Sequence, residues 1–216
     1  MKTTQKRLPR RVLAVGAHPD DIEFGAGGTL LKHVAAGDYV NILVLTSGES
    51  GGEAPEVRKA EAERAGLFIG AVTTDVGSLP DTRVQEKDAI DAIEAAVANY
   101  KPHIAYIHSA HDTHQDHRAA AYAARVALRG ARKLYAYQAP SATGCFEPQR
   151  FTDISMFIDG KLRAIGFHAS QAGKRRYLEN DYVMATGHYW GVQAGDCDHA
   201  EAFEVVFDRD YAADAF

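Results

Sequence analysis

The chain is poor in cysteine and has no long apolar run among its 216 residues. Its two cysteines, Cys145 and Cys197, show no paired spacing, so we expect free thiols in a reducing compartment rather than a disulfide framework. No stretch approaches the roughly 20 apolar residues that a membrane-spanning helix needs. The basic residues 1–10 lead into a short apolar run without a cleavage-like site, which predicts a flexible tail and a cytoplasmic protein.

Positive charge is also scarce, since 24 Lys and Arg face 29 Asp and Glu for a net charge of −5. This balance argues against a nucleic-acid partner, which would need a basic face. The phosphate-binding motifs are missing as well. The run Gly25-Ala26-Gly27-Gly28 does not match G-x-G-x-x-G, and the carboxylates beside it would repel a pyrophosphate. We therefore expect a small-molecule substrate, with neither nucleic acid nor membrane as a partner.

Strand-like and helix-like segments alternate along the chain. We predict strands over 11–17, 39–46, 71–76, 104–108, 133–139, 152–158 and 202–207, and helices over 28–36, 56–67, 87–100, 117–129 and, in two parts, 160–179. Such alternation predicts an α/β fold, a Rossmann-like and mostly parallel sheet with flanking helices, in one domain over 11–216. In these sheets the active site forms at the carboxyl ends of the strands.

A first cluster of polar residues follows the first predicted strand, in "AHPDDIEFGAGGTL". His18 and Asp21 are three residues apart in a tight turn, which lets both converge on one ion while Asp20 points elsewhere. An ordinary Asp-rich turn is the alternative. We expect the following glycines to give a tight passage from the strand into a helix that starts at residue 28.

A second cluster, "HSAHDTHQDH" over 108–117, holds four of the ten histidines and follows the fourth predicted strand. Two histidines and a carboxylate with an open position for water are typical of catalytic zinc or non-haem iron. His18, Asp21 and one histidine of this cluster would complete such a set. Asp20 could then take a proton from water, a second histidine could serve the oxyanion or leaving group, and Asp116 could orient a ligand histidine.

Together the two motifs resemble the LmbE-like (PIG-L) family of zinc-dependent N-deacetylases, a likeness that extends over roughly residues 12–207. The resemblance implies one Zn²⁺ per chain, bound by His18, Asp21 and His117. It implies Asp20 as the general base and His114 near the oxyanion or leaving group, with Asp116 supporting them.

Three further segments carry the same resemblance toward substrate residues. "EVRKAEAERA" maps a substrate-contacting arginine onto Arg58, although Arg58 could equally pair with a carboxylate on a solvated helix face. "KLRAIGFHASQ" maps onto His168, Ser170 and Gln171, with a packed histidine as the alternative. "GHYWG" places His188 where relatives often carry an arginine.

The implied function is the removal of an acetyl group from an N-acetylated amino sugar or glycoside by metal-activated water. Family members often assemble, so a homo-oligomer is expected on the same ground. One alternative is a metal-dependent hydrolase of another amide or a phosphoester, and phosphoesterases usually hold two metals. The other is a non-catalytic sugar- or metal-binding relative, against which Asp20 argues, because a bare binding site needs no base.

Overall fold

Seven strands form one sheet in the computed structural model, which describes residues 7–195 and 197–209. The strands are β1 (Arg11–Gly16), β2 (Tyr39–Val44), β3 (Thr73–Val76), β4 (Ile104–His108), β5 (Lys133–Tyr137), β6 (Arg150–Asp153) and β7 (Ala200–Asp208). Their order is β3-β2-β1-β4-β5-β7-β6. The strands β1 to β5 are parallel, and β7 pairs antiparallel with both β5 and β6. The predicted fold class is confirmed.

Six helices flank the sheet: α1 (Asp21–Ala35), α2 (Pro55–Ile69), α3 (Glu86–Tyr100), α4 (Gln115–Ala127), α5 (Ile158–Gly166) and α6 (Asn180–Gln193). Side chains alternate between the two faces of a strand. Leu13 of β1 therefore packs with α3 and α4, whereas Val12 packs on the side of α1. Both faces are buried, which explains why the parallel strands read as continuous apolar runs.

Helix α1 begins at Asp21, seven residues earlier than we expected, so the glycines lie inside it. A Cβ atom at Gly25 would collide with the ring of Tyr137, and one at Gly28 would collide with Ile154. The glycines thus allow the helix to lie close against the sheet. The expectation that they form the passage before the helix was wrong, because close packing outweighed their low helix propensity.

The C-terminal third departs most from the predicted elements. The segment 160–179 contains the end of α5, a series of turns and a short 3₁₀ helix, Arg176–Leu178. Helix α6 was not predicted, since its sequence contains Gly187 and Gly191, which weaken a helix pattern. Both glycines are buried, and a Cβ at Gly191 would strike the carbonyl oxygen of Cys197. Strand β6 lies at 150–153 rather than 152–158.

The scarcities noted in the sequence have simple structural counterparts. Cys145 is exposed and Cys197 partly buried, and both are free thiols. None of the helices in the described ranges is long and apolar enough to cross a bilayer.

Candidate metal centre

A tight turn after β1 carries three of the predicted site residues. His18 and Asp20 lie in this turn, and Asp21 is the first residue of α1. Asp20 adopts φ 100°, a left-handed conformation that costs a non-glycine residue on the order of 1–3 kcal/mol. The turn is tied to the neighbouring strand, because Thr46 donates to the Ala17 carbonyl from both its backbone N–H and its hydroxyl. The strained turn directs two consecutive carboxylates into the same cleft.

Three side chains from distant parts of the sequence meet at this turn. The Nδ1 atom of His18 lies 3.3 Å from Oδ2 of Asp21, and Nε2 of His117 lies 3.3 Å from the same Nδ1. The third edge, from His117 Nε2 to Asp21 Oδ1, is 3.4 Å. His117 comes from the first turn of α4, whose start at the end of β4 brings it to the carboxyl edge of the sheet.

The three residues form a triangle that closes through both carboxylate oxygens of Asp21, and its contacts have the spacing of a zinc site. Bonds of about 2.0–2.1 Å in a tetrahedral arrangement place neighbouring ligand atoms about 3.3–3.4 Å apart. Two imidazoles and one carboxylate also form the donor set of many catalytic zinc sites. Among the described residues, two other groups of donors also lie close enough to share an ion, His18 with His114 and Asp116, and His108 with Asp112 and His117. Only the first triangle has all three members on the wall of the cleft.

The ring nitrogens that point away from the triangle are held by carboxylates. His18 Nε2 lies 3.1 Å from Asp116 and 3.1 Å from Asp81. His117 Nδ1 lies 3.0 Å from Asp112 and 3.3 Å from the Ser141 hydroxyl. Such contacts fix the tautomer and orientation of metal-ligating histidines. Both the donor atoms that face the centre of the triangle and the carboxylates that hold the histidine rings from behind therefore fit a divalent cation.

The charges around the triangle also suit a cation. Burial lowers the pKa of His18, but the carboxylates of Asp116, Asp21 and Asp81 outweigh it and raise that pKa well above its ordinary value. Burial likewise opposes the charge on His117, while Asp21 and Asp112 raise its pKa to about 9. The carboxylates thus require positive charge at the histidines, which protons or a metal ion can supply.

Asp20 stands beside the triangle without belonging to it. Burial and the nearby Asp21 raise its pKa to about 6 against the opposing charges of His168 and Arg58. The Nη2 atom of Arg58 lies 3.3 Å from Asp20 Oδ2 and also donates to the Pro19 carbonyl at 2.7 Å. A carboxylate with a pKa near neutrality is suited to accept a proton at physiological pH.

His114 also lines the cleft, next to the rings of His18 and His117. Its Nδ1 atom accepts a hydrogen bond from the Asp116 backbone N–H and caps α4. A neutral ring with an accepting Nδ1 carries its proton on Nε2, which makes that atom a donor. The ring stacks on His117 at 4.5 Å, and burial together with the charges of His117 and His18 lowers its pKa.

The cleft has a volume of about 330 Å³. Seven segments line it: the turn after β1 with the start of α1, the loop after β2, helix α2, the loop after β3, the start of α4, the loop after β5 and the segment after α5. Its wall comprises His18, Asp20, Asp21, Ser50, Gly51, Arg58, Asp81, Thr82, His114, His117, Pro140, Ser141, Gln171, Arg175 and Tyr177.

A family model described as GlcNAc-PI de-N-acetylase (PIG-L) matches residues 13–128, a range that contains every residue of the triangle. The chain belongs to the GlcNAc-PI de-N-acetylase family. This membership confirms both the predicted family and the predicted enzyme class, a deacetylase. The match ends before α5, so the wall built by Gln171, Arg175 and Tyr177 lies outside it.

Relatives of this de-N-acetylase extend the match to most of the chain. The uncharacterized deacetylase YaiS of Escherichia coli is 35% identical over 167 residues, which is 74% of this chain and 90% of that protein. The diacetylchitobiose deacetylase of Thermococcus kodakarensis is 28% identical and covers 86% of this chain and 79% of its own length. The crystal structure of the conserved protein TT1542 from Thermus thermophilus has a TM-score of 0.81 at 29% identity, covering 94% and 98% of the two chains.

Two residues that we expected at the substrate lie elsewhere in the de-N-acetylase. His168 is 1% exposed and sits behind the cleft wall, where its Nε2 is 3.3 Å from Glu23. His188 lies on the exposed side of α6 and contacts the Asp198 carbonyl at 3.1 Å. Arg58 does reach the cleft, but its guanidinium is 4% exposed and engaged with Gly48, Pro19 and Asp20. Arg58 is therefore better placed to hold the Asp20 carboxylate in position than to bind substrate directly.

Sequence reasoning missed Asp81, which follows the short and polar strand β3. Its carboxylate contacts His18 and accepts a hydrogen bond from the Ser50 backbone at 2.8 Å. The one available signal was an Asp in the loop after a third parallel strand, a position equivalent to those of the other clusters. Tyr177 and Arg175 were missed too, because they come from a turn-rich segment without a motif.

Proposed function

We propose that this protein is a divalent-metal-dependent hydrolase, with zinc as its metal, and that it removes the acetyl group from a small N-acetylated amino sugar or glycoside. The observation that carries this proposal is the meeting of His18, Asp21 and His117, in which the two histidine nitrogens lie 3.3 Å apart and 3.3 and 3.4 Å from the two oxygens of the Asp21 carboxylate, spacings that suit ligands of one tetrahedral ion. When bound there, the ion supplies Lewis-acid chemistry, lowering the pKa of water and polarising an amide carbonyl.

The protein's own groups then have distinct tasks. Asp20 accepts a proton from the water that attacks the acetamide carbon, and Arg58 holds that carboxylate in place through its contact at 3.3 Å. His114 donates from Nε2 toward the carbonyl oxygen as negative charge develops there. Protonation of the nitrogen and cleavage of the C–N bond release acetate and a free amine.

The size of the cleft supports a small substrate. About 330 Å³ lies at the low end of the roughly 300–1,000 Å³ found for small-molecule sites, and it suits one sugar unit. The names of two relatives agree with this class, since diacetylchitobiose and GlcNAc-PI both carry an N-acetylated glucosamine. Tyr177 offers an aromatic wall on which the apolar face of a sugar ring can pack.

The first test combines metal analysis with acetate release. We expect one zinc per purified chain and acetate release from a panel of N-acetylglucosaminides and nucleotide sugars. Asp20→Asn should lower kcat by about 10²–10⁴-fold while keeping the metal content, because it removes the base and leaves the ligands. Asp91→Asn, at an exposed position on α3, is the matched control and should keep full activity.

Several outcomes would contradict this proposal. Full activity in Asp20→Asn would exclude Asp20 as the base, and loss of the metal together with activity would make it a ligand instead. Two metals per chain with phosphate-ester cleavage would favour a phosphoesterase.

A further inference from the structure

A second cavity, of about 280 Å³, lies on the α1 side of the sheet and shares no wall residue with the cleft. It is enclosed by the last turns of α1, the first residues of β4 and β5, and the edge strand β6. Among the described residues its wall includes Arg10, Thr29, Lys32, Lys133, Arg150 and Asp153. The deacetylation scheme uses none of them.

The wall carries four cationic side chains against one carboxylate. Arg10 is paired with Asp38 and Lys133 with Asp208. Lys32 and Arg150 form no ion pair with a described residue, although Asp153 lies near enough to Lys32, and Asp208 to Arg150, for an electrostatic interaction. Lys32 donates to the Asp153 backbone carbonyl at 2.7 Å, and the guanidinium of Arg150 lies 4.6 Å from the centre of the Tyr135 ring.

No carboxylate of the described residues lies within ion-pair distance of Lys32 or Arg150. The carboxylate of Asp153 is occupied by the hydroxyl and backbone N–H of Ser155. In a chain with a net charge of −5, the cavity is therefore a local concentration of positive charge.

A buried hydroxyl on the same wall has no partner. Thr29 is 2% exposed, and its Oγ1 makes no hydrogen bond with any described residue. A buried polar atom without a partner costs about 1–3 kcal/mol, so it is normally satisfied by protein, water or a ligand. Thr29 lines the cavity, so a rotation about its Cα–Cβ bond would turn the shielded hydroxyl toward a molecule held between Lys32 and Arg150.

We propose that this cavity is a binding site for a small phosphate-bearing anion, held by Lys32, Arg150 and the Thr29 hydroxyl. Ammonium, guanidinium and hydroxyl donors surround the cavity from α1 and β6, which suits a tetrahedral phosphate with several acceptor oxygens. The cavity is concave and about the size of a small metabolite, which excludes a nucleic-acid strand or a lipid surface as its occupant. This site is independent of the proposed deacetylation.

The probe is inorganic pyrophosphate, titrated calorimetrically into the full chain after removal of metal with a chelator. We expect one equivalent to bind, with affinity falling as salt rises from 50 to 200 mM. The double variant Lys32→Ala/Arg150→Ala should bind at least about tenfold more weakly, since it loses two charge-assisted hydrogen bonds. The matched control, Lys59→Ala/Arg125→Ala, removes the same charge from exposed positions on α2 and α4 and should bind like the parent.

Thr29→Val separates ligand recognition from folding. It removes a hydroxyl that has no partner and keeps the shape, so we expect a melting temperature equal to or above that of the parent together with about three- to tenfold weaker binding. Asp21→Asn should bind pyrophosphate like the parent, because the cavity is separate from the metal centre. No binding at millimolar pyrophosphate would overturn the site. So would equal losses in the two double variants, or binding that requires an intact Asp21.

Discussion

Two clusters of histidine and carboxylate occupy opposite ends of the sheet, and they differ in how completely their polar atoms are paired. In the amino-end cluster, formed by Arg7, Arg10, His33, Asp38 and Tyr106, the Asp38 carboxylate accepts from both arginines and His33 is bonded through both ring nitrogens. At the carboxyl end, three buried nitrogens have no hydrogen-bond partner among the described residues, Arg58 Nε, His108 Nδ1 and His168 Nδ1, whereas His168 Nε2 lies 3.3 Å from Glu23. A fully paired cluster stabilises the fold, whereas an incompletely paired one is suited to receive a ligand.

The histidine pKa values follow the same division. Burial and the charges of Arg10 and Arg7 lower the pKa of His33 even though Asp38 lies 2.7 Å away. His18 is also buried, yet three carboxylates raise its pKa. An adjacent aspartate therefore does not by itself determine the protonation state of a histidine; the balance of the surrounding charges does.

The largest expected contrast comes from exchanging the two central aspartates for asparagine. Asp21→Asn should lower acetate release on the order of 10³-fold or more, because it removes a ligand of the proposed metal, and zinc should no longer raise the melting temperature. Asp38→Asn should keep the activity per folded molecule but lower the free energy of unfolding by about 1.5–3 kcal/mol through lost charged hydrogen bonds. Activity assays and thermal unfolding with and without zinc give both readouts. A large loss of activity in Asp38→Asn would contradict the purely structural role of the amino-end cluster.

A smaller effect is expected behind the metal ligands. Asp112→Asn should weaken zinc affinity by about 10–100-fold, because Asp112 orients His117 through the contact at 3.0 Å. Competition with a zinc-binding dye measures this affinity directly. Activity at saturating zinc should recover in large part, which separates an orienting residue from a ligand. An unchanged affinity would mean that Ser141 alone suffices to orient the ring.

The smallest effect concerns the acid stability of the amino-end cluster. Burial by itself raises the pKa of Asp38. Hydrogen bonds from Arg7, Arg10 and His33 outweigh burial and hold that pKa well below its ordinary value. A lowered folded-state pKa contributes stability above the unfolded pKa of about 3.9, and this contribution is lost as the pH falls. The advantage of the parent over Asp38→Asn should thus hold from pH 7 to 5 and shrink below about pH 4. Urea unfolding of metal-free protein at each pH tests this, and a growing advantage in acid would contradict it.

The sequence indicated the candidate site best where a polar motif directly follows a parallel strand. His18, Asp21 and His117 belong to two short motifs, and parallel strands bring their carboxyl ends to one edge. Asp81 was not predicted, because β3 is short and polar and the loop after it carries no motif that marks a functional segment. The roles of Arg58 and His168 depend on burial and on distant partners, which a motif cannot specify.

The predicted helices and strands were wrong at positions where tertiary contacts override local preference. The glycines of α1 looked like a break, yet the sheet beneath them requires residues without a side chain. Helix α6 has a weak local pattern and is held by packing of Val183 against Phe24 and Ile165. Neither requirement is visible without the partner surface.

Helix α1 touches both ends of the molecule. Its first residue is Asp21, and its later turns carry Thr29 and Lys32 to the anion cavity, so about 12–17 Å of rigid helix separates the two. If an anion alters the affinity of the metal centre through this helix, thermodynamic linkage requires the metal to alter the affinity for the anion by the same factor. Helix α1 thus connects the proposed metal centre to the proposed anion cavity.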